Sequence, residues 1–390
     1  MIIMVLLFSV CGCGEKDEES GISAPEKLVI WSYFETEVQI EGLNRLTKAF
    51  NESQSGYEVS WEYVPLTEFD RRISRAYTEE ELPDIVIMDN PDMSKFIRLG
   101  MFEDITEYVR DFGIDDEYYG AAVGTCKYNN EYFGVPFNVN NVCIIYRRDI
   151  FEKENLIPAT DYEGFMELAE KLTDKDRYGF LMSAIDSEQG SFQMMNWVMS
   201  SSGQSRHVEK DSLVRVFDYL NEMISNGYMP AECINYSQTD VARRFIKGDI
   251  AMMENGPWVY EMLDEAGIDY GLAPMPADKN KISILGGENL GIIKDKNVKG
   301  SAEFIRFCVE EGGTLEFCRY SRLLPANISQ AAAVVRESPK LKIINDQMNN
   351  AIPRSDISDY TSISKKMMKN FARFVAGEMT SDEAAIETIK

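Results

Sequence analysis

Residues 27–89 alternate strand, helix, strand, helix, strand, and that order restricts the fold of this chain more than any other feature. Leu28, Val29, Ile30 and Trp31 form a short apolar run, the pattern of a buried strand. Leu43, Leu46 and Phe50 then recur at spacings of three and four, as on one face of a helix. From Tyr57 to Val64 the chain alternates like a strand, and a second helix is predicted from Phe69 to Tyr77. Ile85, Val86, Ile87 and Met88 form a third strand that closes on Asp89. Strands separated by helices lie parallel and are joined by right-handed crossovers, so the segment predicts a βαβ sheet. Ligands of such sheets sit beyond the carboxyl ends of the strands, here Trp31-Ser32-Tyr33, Pro65 and Asp89-Asn90. A chain of 390 residues exceeds the size at which one core usually keeps growing, so two lobes are expected.

Further along, Gly134-Val135-Pro136-Phe137 leads through the polar Asn138-Val139-Asn140-Asn141 into a strand at 142–146. A polar insertion between apolar stretches suits a hinge that crosses a cleft. Helices are predicted at 165–172, after Pro158 and Thr160 as start signals, and at 211–226. A strand at 250–253 precedes the turn Asn255-Gly256-Pro257-Trp258, marked by its Gly-Pro dipeptide. Another strand covers 270–273, the stretch 282–285 leads into Gly286-Gly287-Glu288-Asn289, and the tail 363–390 is helical. No internal repeat is present.

Composition removes several classes of function. Sixty-five acidic residues against 40 basic ones give a net charge of −25, which disfavours nucleic-acid binding, since that needs clustered cations to displace counterions. A single histidine, His207, argues against Ser/His/Asp, Cys/His and multi-histidine metal chemistry, and its polar surroundings place it on the surface. Met1 to Val10 is almost wholly apolar, far shorter than the ~20 residues of a membrane span, and fits a secretory signal. It runs into Cys11-Gly12-Cys13, which looks like a lipobox. Small Gly12 makes Cys13 the better lipidation site, whereas bulky Val10 precedes Cys11. A basic segment before Ile2 is missing, which departs from the usual signal. Residues 1–13 are therefore expected to be a signal peptide with lipobox, and 14–26 a solvated tether. Cys126, Cys143, Cys233, Cys308 and Cys318 remain, an odd number without a CxxC pair, so neither disulfides nor zinc are indicated. Cys143 and Cys308 read as small core residues.

A series of fragments carries a resemblance over most of the chain. It includes Leu28-Val29-Ile30-Trp31, Leu82-Pro83-Asp84-Ile85-Val86, Gly134-Val135-Pro136-Phe137 and Ile144-Ile145-Tyr146-Arg147-Arg148-Asp149-Ile150-Phe151. The most specific is Phe245-Ile246-Lys247-Gly248-Asp249-Ile250-Ala251-Met252, followed by Asn255-Gly256-Pro257-Trp258. Leu272-Ala273-Pro274-Met275-Pro276, Gly286-Gly287-Glu288-Asn289 and Ser381-Asp382-Glu383-Ala384-Ala385 complete it. In this order the fragments resemble the family 1 extracellular solute-binding proteins, whose best-known members bind maltodextrins. The resemblance implies an α/β, two-lobed periplasmic-binding-protein-like fold of type II, with hinge strands and a ligand cleft between the lobes. The first lobe would comprise 27–138 plus 286–324, and the second 139–285 plus 325–390. It implies capture of a sugar or oligosaccharide and delivery to the permease subunits of an ABC importer. Enzyme activity, cofactor and metal are not expected, and the protein would be a monomer tied by its lipid to the outer face of the cell membrane.

Sugars offer hydroxyls and an apolar C–H face, so rings should cover the face while Asp, Glu, Asn and Arg pair with the hydroxyls. By position, the resemblance assigns Trp258 to sugar stacking and Tyr33 and Glu35 to contacts beyond the first strand. Asp89 closes the third strand. Asn140 stands where the family has a ligand-bonding acid. Glu288 and Asn289 lie on the return crossing, Phe192 and Trp197 on a looser second-lobe segment, and Tyr360 at a C-terminal stacking position. Trp31 and Trp61 read as core. Other readings stay open: the same fold binding iron (adjacent Tyr118-Tyr119), a polyamine (Asp89, Glu35 and Glu288 as acids), a phosphodiester or a peptide; a secreted glycosidase with two carboxylates; or a partner of a membrane sensor.

Overall fold

The computed structural model describes residues 24–203 and 206–390. The expected signal, Cys13 and most of the tether lie outside the described residues. The first sheet has β1 (Glu26–Ser32), β2 (Tyr57–Tyr63), β3 (Ile85–Asp89) and β4 (Val135–Pro136), interleaved with α1 (Glu37–Ser53), α2 (Leu66–Glu79) and α3 (Asn90–Arg98). Strands β1, β2 and β3 are parallel, as the alternation predicts. Both faces of this sheet are covered. Leu28, Ile30, Ile85 and Ile87 pack with Leu43, Leu46 and Phe50 of α1 on one side. Trp31, Val86 and Met88 pack with Phe69 and Ile73 of α2 on the other. That is why the strands read as unbroken apolar runs. Trp61 departs from its expected core position. It is half-buried on the edge strand β2 and donates its indole N–H to Asn44 Oδ1 at 2.9 Å.

The second sheet contains β5 (Cys143–Arg147), β6 (Tyr178–Leu181), β7 (Ile250–Asn255) and β8 (Tyr270–Ala273) in the order β8-β5-β7-β6. Strand β5 is antiparallel to both neighbours, and β6 is parallel to β7. The five described cysteines are free and buried, and His207 is exposed. The helical tail is two helices, Tyr360–Val375 and Ser381–Ile389. The first ends near Gly377, whose φ of +75° is a left-handed conformation that glycine adopts without a Cβ penalty.

Three runs of chain join the sheets. The outgoing run, 136–143, lies against the returning run, which holds β9 (Ser283–Leu285) and β10 (Glu288–Ile292). Strand β10 re-enters the first sheet antiparallel to both β3 and β4, giving the order β2-β1-β3-β10-β4. In the third run, Leu324–Pro325 pairs with Asn138–Val139, and β11 (Ala351–Pro353) pairs with β9. Gly287 sits between β9 and β10 at φ +122°, where an added Cβ would fall 2.3 Å from the Asn138 carbonyl oxygen. Only glycine lets the two crossing runs approach this closely. Among the described residues, no helix is long and apolar enough to cross a membrane.

Candidate functional site

Strand direction gathers the first wall of the site. Because β10 runs antiparallel to β3, its first residue, Glu288, pairs in register with Asp89, the last residue of β3. Tyr33, just past β1, donates its hydroxyl to Glu288 Oε1 at 2.7 Å. Burial pushes the Glu288 carboxyl up to about 7, while the Tyr33 hydroxyl pulls it down. Burial and then the Asp89 charge push Asp92, in the first turn of α3, up to about 7. Asp89 is also raised by burial, with the charge of Arg354 opposing. Asp89 makes no capping bond to the first turn of α3. Its carboxylate instead accepts from Arg354 Nη2.

The second wall comes from the other lobe. Here α4 (Glu188–Ser201) begins with Glu188, whose Oε1 accepts from Arg354 Nη1 at 2.7 Å. The hydroxyls of Tyr360 and Ser364 also donate to Glu188. Arg354 follows β11 directly and is 2% exposed. It therefore ties Asp89 of the first lobe to Glu188 of the second, and its guanidinium lies 4.6 Å over the ring of Phe192. The Phe192 ring is 6.3 Å from that of Trp258. Trp258 is half-buried, and its indole packs so closely on Gly256 that a Cβ there would fall 2.1 Å from the ring. Asn140 and Phe192 meet at Gly286, where a Cβ would come within 2.0 Å of Asn140 Oδ1 and 2.8 Å of the Phe192 ring.

The Asn138 side chain bonds the Glu288 carboxylate, and two buried donors around this cluster have no protein partner, Arg354 Nε and Trp258 Nε1. A buried polar group without a partner costs about 1–3 kcal/mol, and these two donors stand beside two aromatic rings.

Of the residues assigned from sequence, Tyr33, Asp89, Asn140, Phe192, Trp258 and Glu288 converge here. Tyr360 reaches the site through its hydroxyl on Glu188, and its ring is buried to the same extent as that of Phe192. Three assignments are corrected. Trp197 is 0% exposed, packs on Tyr162 and Phe165, and donates to Glu254 Oε2 at 2.7 Å, which places it in the second lobe's core. Asn289 donates to Thr125 Oγ1 at 2.8 Å inside the first lobe. Successive strand residues face opposite ways, so Glu288 and Asn289 cannot both face the cleft. Glu35 is exposed and accepts from the Tyr63 hydroxyl at 3.3 Å, outside the cluster. The tyrosines Tyr118 and Tyr119 do not join it either: Tyr118 is core, and Tyr119 donates to Asn345.

The sequence reading missed Arg354, Glu188, Asp92 and Asn138. Asn138 and Asp92 each lie within four residues of an assigned position, and Glu188 immediately precedes the second-lobe segment considered. Arg354 had no local signal in the sequence.

Comparison with known proteins gives the family and the fold. The profile of a family described as bacterial extracellular solute-binding protein matches residues 45–343. A maltotriose-binding protein of Pyrococcus abyssi is 24% identical over 259 residues, covering 64% of this chain and 53% of that protein, so the match spans about half of the relative's length. A galactooligosaccharide-binding protein of Bacillus subtilis is 20% identical over 380 residues, 93% of this chain and 88% of its own. Among solved structures, the maltose-bound MalE3 of T. maritima superposes with a TM-score of 0.84 at 20% identity, covering 93% of this chain and 97% of that one. At that identity the likeness is one of fold, and the fold is the two-lobed binding-protein architecture.

Proposed function

This chain belongs to the bacterial extracellular solute-binding protein family, which acts outside the cytoplasm, and from that premise we propose that it captures a sugar or oligosaccharide between its lobes for an ABC importer. The observation that carries the sugar reading is the pairing of the Phe192 and Trp258 rings with the buried polar groups of Tyr33, Asn138, Glu288 and Arg354, among which Arg354 Nε and Trp258 Nε1 have no protein partner. Rings suit the C–H face of a pyranose, and the polar atoms suit its hydroxyls. Relatives named for maltotriose and galactooligosaccharide support the same class. Tyr33, Asp89, Asn140 and Glu288 would bond hydroxyls, and Trp258 and Phe192 would stack. Closing and opening of the lobes is all that capture and release require, so no catalysis is assigned to the carboxylates. Permease subunits would be the partners, and Cys13 would carry a lipid that holds the monomer at the membrane's outer face.

A thermal-shift screen over diverse oligosaccharides tests the ligand class. A ligand at 100 times its dissociation constant stabilises by about 2.7 kcal/mol, so a narrow set of glycans should raise the melting temperature. Silence across the glycans with a shift from ferric iron or spermidine would overturn the sugar reading. For the anchor, Cys13→Ser should release the protein from membranes, and release by Cys11→Ser instead would move the lipidation site.

A further inference from the structure

The two lobes share no sheet across the cleft. The first sheet runs β2-β1-β3-β10-β4 and the second β8-β5-β7-β6, so beyond the three crossing runs their relative position depends on contacts between facing groups. One such contact is ionic and buried. Arg354 stands just after β11, where the third crossing run approaches the C-terminal helices. Through Nη1 it pairs with Glu188 at 2.7 Å, and Glu188 is braced within the second lobe by the hydroxyls of Tyr360 and Ser364. Through Nη2 it pairs with Asp89 of the first lobe, whose carboxylate makes no capping bond to α3. Phe192 covers one face of the guanidinium at 4.6 Å, and Arg354 and Asp89 are both buried. Beside this bridge, Asp92 adds a second carboxylate to the first-lobe face, and Lys365 acts on it from the C-terminal helix. One guanidinium does not balance all the acids gathered here; what sets it apart is that it reaches both lobes at once.

We propose that the bridge Asp89–Arg354–Glu188 is a latch: it holds the lobes shut through protein contacts alone, so that solute entry waits on its release. Asp89 closes β3 in one lobe and Glu188 opens α4 in the other, so a swing of the lobes about the crossing runs carries the two carboxylates apart. Arg354 then cannot hold both. Burying charges is repaid only where each finds close partners and further hydrogen bonds. This bridge supplies them, with two carboxylates on one guanidinium, two hydroxyls on Glu188 and a ring over the cation. Arg354 is thereby a positioning residue, which sets the lobe angle without having to touch the solute. The inference rests on the lobes moving about the crossing runs, the motion that capture requires, and not on the identity of the solute.

The test is small-angle X-ray scattering of protein refolded from denaturant to strip any bound solute, with none added. The radius of gyration reads the lobe angle, and circular dichroism checks that each variant is folded. Wild type should give the radius of gyration of the present structure. R354Q, D89N and E188Q should each raise the ratio of open to shut forms by at least about tenfold, seen as a larger radius of gyration. Because the three side chains act through one bridge, D89N/E188Q should open the lobes no further than D89N alone. A general loosening of the fold would instead add from one substitution to the next. Should R354Q fail to fold, D89N and E188Q carry the test. Wild type as expanded as R354Q, or variants as compact as wild type, would overturn the latch, and so would additive opening in the double variant. No solute enters the measurement, so these outcomes leave the sugar reading as it stands, and a thermal-shift screen silent to every glycan would leave the latch standing.

Discussion

On the first lobe's wall, Tyr33, Asp89 and Glu288 are held by strand ends whose backbones are locked into one sheet. On the second lobe's wall, Phe192 and Trp258 are held by a helix and by the turn Gly256-Pro257. The first wall supplies polar groups at positions fixed by register; the second supplies apolar rings whose placement depends on packing. Trp197 lies five residues beyond Phe192 on the same helix, on a different face, and belongs to the core. The difference teaches that strand register orders a polar site from a short stretch of sequence, whereas a helix carries binding and core aromatics on adjoining faces, and packing decides which is which.

The sharpest break of this comparison is between the two tryptophans. Trp197→Ala should lower the folding stability of the unliganded protein by about 3–5 kcal/mol in a denaturant melt, because it opens a core cavity and strands the buried Glu254 carboxyl. The affinity of the fraction that stays folded should be unchanged; a loss of affinity there would put Trp197 back at the site. Trp258→Ala should show the reverse, with affinity falling by about 2 kcal/mol or more in a titration. Being half-buried, it should lose less unliganded stability than Trp197→Ala does. A collapse of that melt would assign Trp258 to the core and leave the second wall with Phe192 alone.

The polar wall has its own signature in pH. Glu288 rises from 4.5 to about 7 on folding, and Asp92 from 3.8 to about 7. Both pKa values are higher in the folded than in the unfolded state. Between the two values the folded protein keeps protons that the unfolded chain has lost, so stability falls as pH rises from about 4 toward 7 and levels off above. One fully titrating group gives a slope of up to about 1.4 kcal/mol per pH unit. Glu288→Gln should flatten part of this slope, with Asp92 supplying the remainder. An identical slope in the variant would show that the Glu288 carboxyl keeps its ordinary pKa. The smallest effect is expected at the rim: Glu35→Gln should change stability and affinity by less than about 0.5 kcal/mol, since its carboxylate is exposed and touches only the Tyr63 hydroxyl. A tenfold affinity loss would extend the polar wall outward to Glu35.

Local pattern carried most of the elements. The apolar runs of β1 and β3, the helical spacing of α1 and the Gly-Pro turn before Trp258 were readable because each depends on neighbours in the chain. Three strand ends and a hinge were enough to bring Tyr33, Asp89, Asn140 and Glu288 to one place. The facing of side chains was harder. Strand alternation by itself separates Glu288 from Asn289, yet which of the two enters the cleft depends on β10 pairing with β3 in one register.

What the sequence determined by itself is the layered architecture, the polar hinge run at 138–141, and the aromatic and acidic residues available at strand ends. Tertiary structure alone decided the partners. Arg354 lies 265 residues from Asp89 and 166 from Glu188, and no periodicity links them. Only when the third crossing run pairs β11 with β9 does the guanidinium arrive between the lobes, because contacts at that separation are fixed by the packing of whole elements and not by any preference of the residues beside it.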